Sequence, residues 1–175
     1  MGALEAVDAS VLLGRPRHHL IQGPWPTREH WLGLRERADA LGRPVCVVNA
    51  HWAAETPPPE LWRPGDQYLW LNAIDGPFPA LRGQWVNLVG LQTAAAVDAG
   101  YVTYVHCLAG VSRSTLVAAA ALVALQGGTY ARAANFVARC RPAANPCPAF
   151  LAVMDELDRR LVADGEEVAT HARLH

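Results

Sequence analysis

The stretch that most restricts the fold runs from Tyr101 to Gln126, "YVTYVHCLAGVSRSTLVAAAALVALQ". A short, continuously apolar run reads as a strand buried on both faces. The apolar stretch 114–126 reads as a core helix, stopped by Gly127-Gly128. Between them lies a loop of small residues. The same alternation fills the rest of the chain. "PVCVVNA" (44–50) and "QYLWLNAI" (67–74) read as strands, and "VLLG" (11–14) and "HHLIQG" (18–23) as short strands around a Gly-Arg-Pro turn. "TREHWLGLRERADALG" is a helix with Trp31, Leu34, Ala38 and Leu41 on one face.

Further helices are predicted over 79–99 (Leu81, Trp85, Leu88, Ala95 and Ala99 near one face), 130–140 and 148–163. Phe150, Leu151, Met154, Leu157 and Leu161 form the apolar side of the last. Strands alternating with helices predict an α/β fold, a central, mostly parallel sheet of about five strands flanked by helices. With 175 residues and no repeat, linker or charge block, a single domain over 1–163 is expected, with 164–175 as a loose tail. Ligands of such sheets sit beyond the carboxyl ends of the strands, where His51, Asp75 and Cys107 all fall.

Charge is balanced, with 15 basic residues, all Arg, against 16 acidic ones for a net charge of −1. That argues against nucleic acid or an anionic membrane as partner. The start "MGALEAVDAS" lacks a signal-peptide pattern. "LVAAAALVAL" is well short of the roughly 20 residues that span a bilayer. Cysteines 46, 107, 140 and 147 show no CxxC spacing. A reduced, cytoplasmic protein without structural metal is the expectation.

The chemistry concentrates at Cys107. Five residues, Leu108, Ala109, Gly110, Val111 and Ser112, separate it from Arg113. They are short enough to wrap into a cup lined by backbone N–H groups, with Gly110 free to take a positive φ. The start of the following helix adds unpaired N–H donors and a partial positive charge, so the cup suits a tetrahedral oxyanion. Arg113 can grip two oxygens with a planar fork, which Lys cannot do. A cysteine in such a field can have its pKa lowered from ~8.5 to about 3.5–7.5, becoming a nucleophile at neutral pH. Of the two hydroxyls that follow, Ser114 is better placed than Thr115 to hydrogen-bond the sulfur.

"HCLAGVSRS" resembles the His-Cys-x5-Arg-Ser/Thr signature of the protein tyrosine phosphatase superfamily, in its dual-specificity form. "VVNAHWAAE" is similar to that family's Val-Asn strand, "LNAIDGPFP" to its general-acid loop, and "RCRPAANPCPAF" to the Arg-Pro…Asn-Pro…Phe start of its last helix. After "SRST" the usual Ala-Tyr-Leu-Met-like segment is replaced by "LVAAAALVAL", which keeps the helix and drops the Tyr.

The resemblance implies a cysteine-phosphatase fold and a two-step, metal- and cofactor-free phosphomonoester hydrolysis. Cys107 is then the nucleophile, and Arg113 with the amides of 108–113 binds phosphate. Asp75, 107 − 75 = 32 residues upstream, is the general acid and base. Ser114 aids departure of the sulfur, and His106 orients the loop. The implied substrate is a phosphorylated protein (phosphotyrosine, with phosphoserine or phosphothreonine as further options) or a small aryl phosphoester, acted on by a monomer. With no charge inside the loop before Arg113, phosphoinositides are disfavoured.

Two rivals stand beside this reading: a catalytically silent phosphate-binding module on the same fold, and a rhodanese-type sulfurtransferase. Cys46 reads as core filler, with the sharper alternative that it traps oxidised Cys107 as a disulfide. Asp66 ("PGDQY") rivals Asp75 but precedes its strand, at the wrong end of the sheet.

Overall fold

The structure, a computed structural model, describes residues 19–72 and 82–173. Four strands, β1 (His19–Gly23), β2 (Val45–Asn49), β3 (Gln67–Trp70) and β4 (Val102–His106), form one sheet in the order β1-β4-β2-β3. Every pairing is parallel. The sequence led to about five strands; "VLLG" (11–14) and the stretch 73–81, which holds Asp75, lie outside the described residues. The helices are α1 (Arg28–Leu41), α2 (Arg82–Asp98), α3 (Arg113–Gln126), α4 (Tyr130–Cys140) and α5 (Pro148–Arg173). A short 3-10 turn, Pro59–Leu61, lies in the Pro-rich loop.

Local chemistry explains the boundaries. Thr27 caps α1, its hydroxyl accepting from His30 N–H while its own N–H donates to His30 Nδ1 at 3.1 Å. Thr129 caps α4 in the same way through Arg132 N–H. The Asp158 carboxylate of α5 accepts from Tyr130 N–H and Ala131 N–H, so two helices share one capped end. α5 continues to Arg173, past residue 163 where the sequence reading ended it. The expected tail over 164–175 is therefore helical as far as Arg173. Gly165 is the weakest helix former in "DGEEVATHAR", and an established helix propagates through it at a cost of about 1 kcal/mol.

The sheet is covered on both faces. α1 lays Trp31, Leu34 and Ala38 on Ile21, Val45, Val47, Val102 and Tyr104. On the other face α3 is the central helix, with residues 113–122 all buried. Its alanines let α2 approach closely: a Cβ on Gly90 would lie 2.8 Å from the Ala120 Cβ. Burying each Val or Leu here contributes about 1.5–3 kcal/mol.

The expected faces need correction in places. On α2 the buried stripe is Val86, Val89, Thr93, Ala96 and Val97, while Leu88 is 54% exposed. Leu41, Leu151 and Leu161 are exposed as well. Ala95 and Ala99 are exposed too, and Leu81 lies outside the described residues, so the buried α2 face is rotated away from the expected one.

Register fixes where function can sit. Gly23 and Asn49 both pair with His106, so three neighbouring strands end level with one another. The loops after β1, β2 and β4 meet at that edge, with the β4 loop between the others.

Candidate active site

The six residues from Cys107 to Ser112 connect β4 to α3, which Arg113 opens. Their carbonyls are tied outward to the surrounding protein. Leu108 O accepts from Trp25 N–H at 3.0 Å, and Val111 O accepts from Asn145 N–H at 2.8 Å. Gly110 O accepts from Gln22 Nε2 at 2.9 Å and Arg141 Nε at 3.1 Å. Ser112 O accepts from Leu116 N–H in the first turn of α3. All described peptides are trans, so each following N–H points opposite to the anchored carbonyl. The amides of Ala109, Val111, Ser112 and Arg113 then lie on the side of the loop away from those anchors, an arrangement able to line a cup.

Gly110 makes the wrap possible. Its φ is 65°, and it packs on the Gly23–Pro24 peptide. Gly23 in turn leaves room for Tyr104, whose hydroxyl donates to Pro24 O at 2.7 Å. Burial pushes the Tyr104 phenol well above its ordinary value, with Arg141 opposing, so it stays a donor. Ser112 Oγ accepts from Cys147 N–H at 3.0 Å, bracing the loop from the start of α5.

Cys107 lies at the base, 2% exposed, with its Sγ 3.3 Å from Ser114 Oγ. Ser114 is fully buried in the first turn of α3, and Gln22 Nε2 is 2.7 Å from its oxygen. Arg113, the first residue of α3, is buried at the end of the cup. Leu108 and Ala109 form an exposed lip. Thr115 is turned away, its hydroxyl donating to Val111 O at 2.8 Å.

Beneath the loop, His106 is fully buried and held from several sides. It stacks on Tyr104 with ring centroids 5.6 Å apart and meets the Trp25 ring edge-on. His106 O accepts from Ala50 N–H at 2.7 Å. Its Nε2 lies 3.1 Å from Glu55 Oε2, within ion-pair reach but off hydrogen-bond alignment. Glu55 N–H donates to Tyr68 Oη, which also accepts from Asn49 Nδ2. His51 is buried between Trp25 and the exposed Trp52.

The structure thus brings together Cys107, Ser114, His106 and the loop 108–113, while Asp75 lies outside the described residues. Asp66 accepts from Arg35, Val45 N–H and Arg63 N–H, at the amino end of β2 and far from the cup. The disulfide idea for Cys46 fails on register. Cys46 pairs with Thr103, four residues before Cys107, or ~13 Å along the strand, whereas a disulfide needs Cα atoms about 4.4–6.8 Å apart. Burial pushes the Cys46 thiol up to about 12, so it is inert packing.

Sequence reasoning missed Gln22, Trp25 and Glu55. A Gln inside the apolar strand "HLIQG" was the one visible signal among them. Among the described residues, no three His, Cys, Asp or Glu side chains cluster to hold a metal.

No family model and no curated protein sequence matches the chain. Solved structures do. The human DUSP28 crystal structure matches with a TM-score of 0.65 and 26% identity, covering 83% of this chain and 94% of that one. DUSP15 matches at a TM-score of 0.59 and 21% identity, over 82% and 90% of the two chains. PTPMT1, in complex with PI(5)P, matches at 0.62 and 23% identity, over 85% and 95%. Below 25% identity the likeness is one of fold. Signature loop, fold and neighbours agree: the chain is similar to dual-specificity phosphatases of the protein tyrosine phosphatase superfamily.

Proposed function

We propose that the chain is a cysteine-dependent phosphomonoester hydrolase that works through a phosphocysteine. The observation carrying this reading is the anchored cup: loop carbonyls tied outward around Cys107, with the Ser114 hydroxyl 3.3 Å from its sulfur. In the first step the Cys107 thiolate attacks phosphorus in line, an S–P bond forms and the P–O bond to the leaving group breaks. Asp75 gives its proton to the departing oxygen. Arg113 and the loop amides hold the three equatorial oxygens, which is mostly positioning and electrostatics. In the second step the Asp75 carboxylate takes a proton from water, and the water oxygen attacks phosphorus. The S–P bond then breaks, returning a thiolate that the Ser114 hydroxyl supports as a leaving group.

The substrates are phosphoproteins, phosphotyrosine first, and small aryl phosphates. Leu108, Ala109, Val111 and Ser112 put no cation on the loop to meet the extra phosphates of an inositol lipid. The test is hydrolysis of a chromogenic aryl phosphate across pH with a chelator present, comparing wild type with Cys107→Ser and Asp75→Ala. Turnover abolished by the first change and losing its proton donor with the second is the expected result. A folded wild type inactive on this and on phosphotyrosine peptides would overturn the reading and leave a phosphate-binding module.

A further inference from the structure

Gln22 is one residue from the end of β1, level with Val105 and 1% exposed in an otherwise apolar stretch. Its Nε2 lies 2.9 Å from Gly110 O and 2.7 Å from Ser114 Oγ. A carbonyl only accepts, so the Gly110 contact fixes the carboxamide with its NH2 toward the loop. Both N–H bonds are then committed, one to Gly110 O and the other to Ser114 Oγ.

A helical Ser or Thr commonly donates its hydroxyl to the carbonyl four residues back. Thr115 does so, to Val111 O at 2.8 Å. For Ser114 the matching carbonyl is Gly110 O, and its two lone pairs are taken by Gln22 Nε2 and Arg141 Nε. Gln22 thus supplies a hydrogen to the Ser114 oxygen and also closes the hydroxyl's usual outlet. The single Ser114 proton is left to Cys107 Sγ at 3.3 Å.

We infer that Gln22 is a positioning residue that sets the direction of the Ser114–Cys107 hydrogen bond, making the hydroxyl a donor to the sulfur. A donor favours the thiolate, both as it attacks and as it leaves. The inference rests on Cys107 being the nucleophile of the proposed reaction. Among the described residues, the charged and titratable groups around the cup are Arg113 at the start of α3, Arg141 beyond α4, Tyr104 of β4, and His106 of β4 with Glu55 against it. Substitution at Gln22 alters none of them.

The test reads thiolate directly and needs no turnover: the pH profile of iodoacetamide alkylation at Cys107, followed by mass spectrometry. Gln22→Met keeps the volume and removes the donors. It should move the profile to higher pH and slow alkylation at pH 6 by about three- to tenfold. Gln22→Leu also removes both donors without adding a charge and should slow it as much, which keeps the test available if the Met variant does not fold. Ser114→Ala should reproduce the shift, and adding Gln22→Met to it should change nothing more.

Superimposed profiles for wild type and the Gln22 variants, with only melting temperature or tungstate binding altered, would overturn the inference and reduce Gln22 to a brace for the loop. So would a Gln22 effect that persists in full without Ser114. Failure of the phosphatase reading is separate: it shows as absent turnover while the wild-type alkylation profile is kept.

Discussion

The Cα of Gly110 lies against the Gly23–Pro24 peptide so closely that a Cβ on it would meet the Gly23 carbonyl carbon and the Pro24 nitrogen at 2.5 Å. Those atoms are backbone at the end of β1, and they cannot yield without pulling the loop off the sheet edge. Gly110→Ala should therefore cost both the left-handed backbone term and a steric one, about 3 kcal/mol or more in all. Gly100→Ala is the control. Its φ is 91° but no atom lies within 4 Å of the added carbon, so only about 1–2 kcal/mol should be lost. Denaturant midpoints compare the two, and tungstate binding should be lost for the first alone.

Cys46 and Cys107 should behave as opposites toward an alkylating agent. Both are nearly inaccessible by area, but Cys107 lies past the end of β4 at the sheet edge under the exposed Leu108 and Ala109, whereas Cys46 sits within the sheet. One equivalent of iodoacetamide near neutral pH should label Cys107 and spare Cys46, as peptide mapping would show. Stability follows the Cys46 thiol in a definite sense. Below its ordinary value of 9.0 the thiol is neutral folded or unfolded, so its burial is uncharged. Above that, the unfolded chain ionises while the folded one resists up to about 12, so stability falls across this window. Tyr104, also raised by burial, adds with the same sign. Cys46→Ala should flatten the alkaline decline in urea melts relative to wild type.

Among the described residues, Glu55 is the acid paired with the buried His106, at 3.1 Å, and its backbone is tied to Tyr68. Removing its carboxylate strips a fully buried imidazole of that contact. Glu55→Ala should lower stability by about 2 kcal/mol, and Glu55→Gln, which keeps a polar partner of the same length, by less. Chemical denaturation of the two variants checks the order. A reversed order would mean that the carboxylate serves something other than His106.

How far the sequence could be read depended on the range of each interaction. β2, β4 and α4 were legible because continuous apolar runs and Gly stops are local signals, and α4 falls on its expected 130–140. The cup was legible because its Cys, Gly and Arg are fixed by spacing along one loop. Gln22 was not, since its partners Gly110 and Ser114 are 88 and 92 residues away and meet it only through the β1–β4 pairing. Glu55 and Trp25 escaped for the same reason. The stripe on α2 was misread because Gly90 packs closely on Ala120, while hydrophobicity alone ranks the exposed Leu88 above both.

The two candidate acids should separate cleanly. Asp66 accepts from Arg35, Val45 N–H and Arg63 N–H, with 1% of its side chain exposed, so Asp66→Ala should melt earlier. Its pH–rate profile on an aryl phosphate should keep the wild-type shape. Asp75→Ala should lose the falling limb at high pH that reports a protonated acid, with kcat down about 100-fold on a substrate with a poor leaving group. An Asp66 variant that lost that limb would return the assignment to the rival.

Arg113 supplies the last discrimination, between a binding charge and a shaped clamp. It is buried as the first residue of α3, where the helix terminus already favours an anion. Arg113→Lys keeps the charge and so should keep much of the field that favours an anion in the cup. It loses the planar fork that matches two equatorial oxygens of a transferring phosphoryl group. A clamp formed mainly in the transition state predicts a fall in kcat of about 10³-fold or more with a much smaller change in KM. An equal rise in KM at unchanged kcat would instead place Arg113 in ground-state binding. Steady-state kinetics on one aryl phosphate distinguishes them.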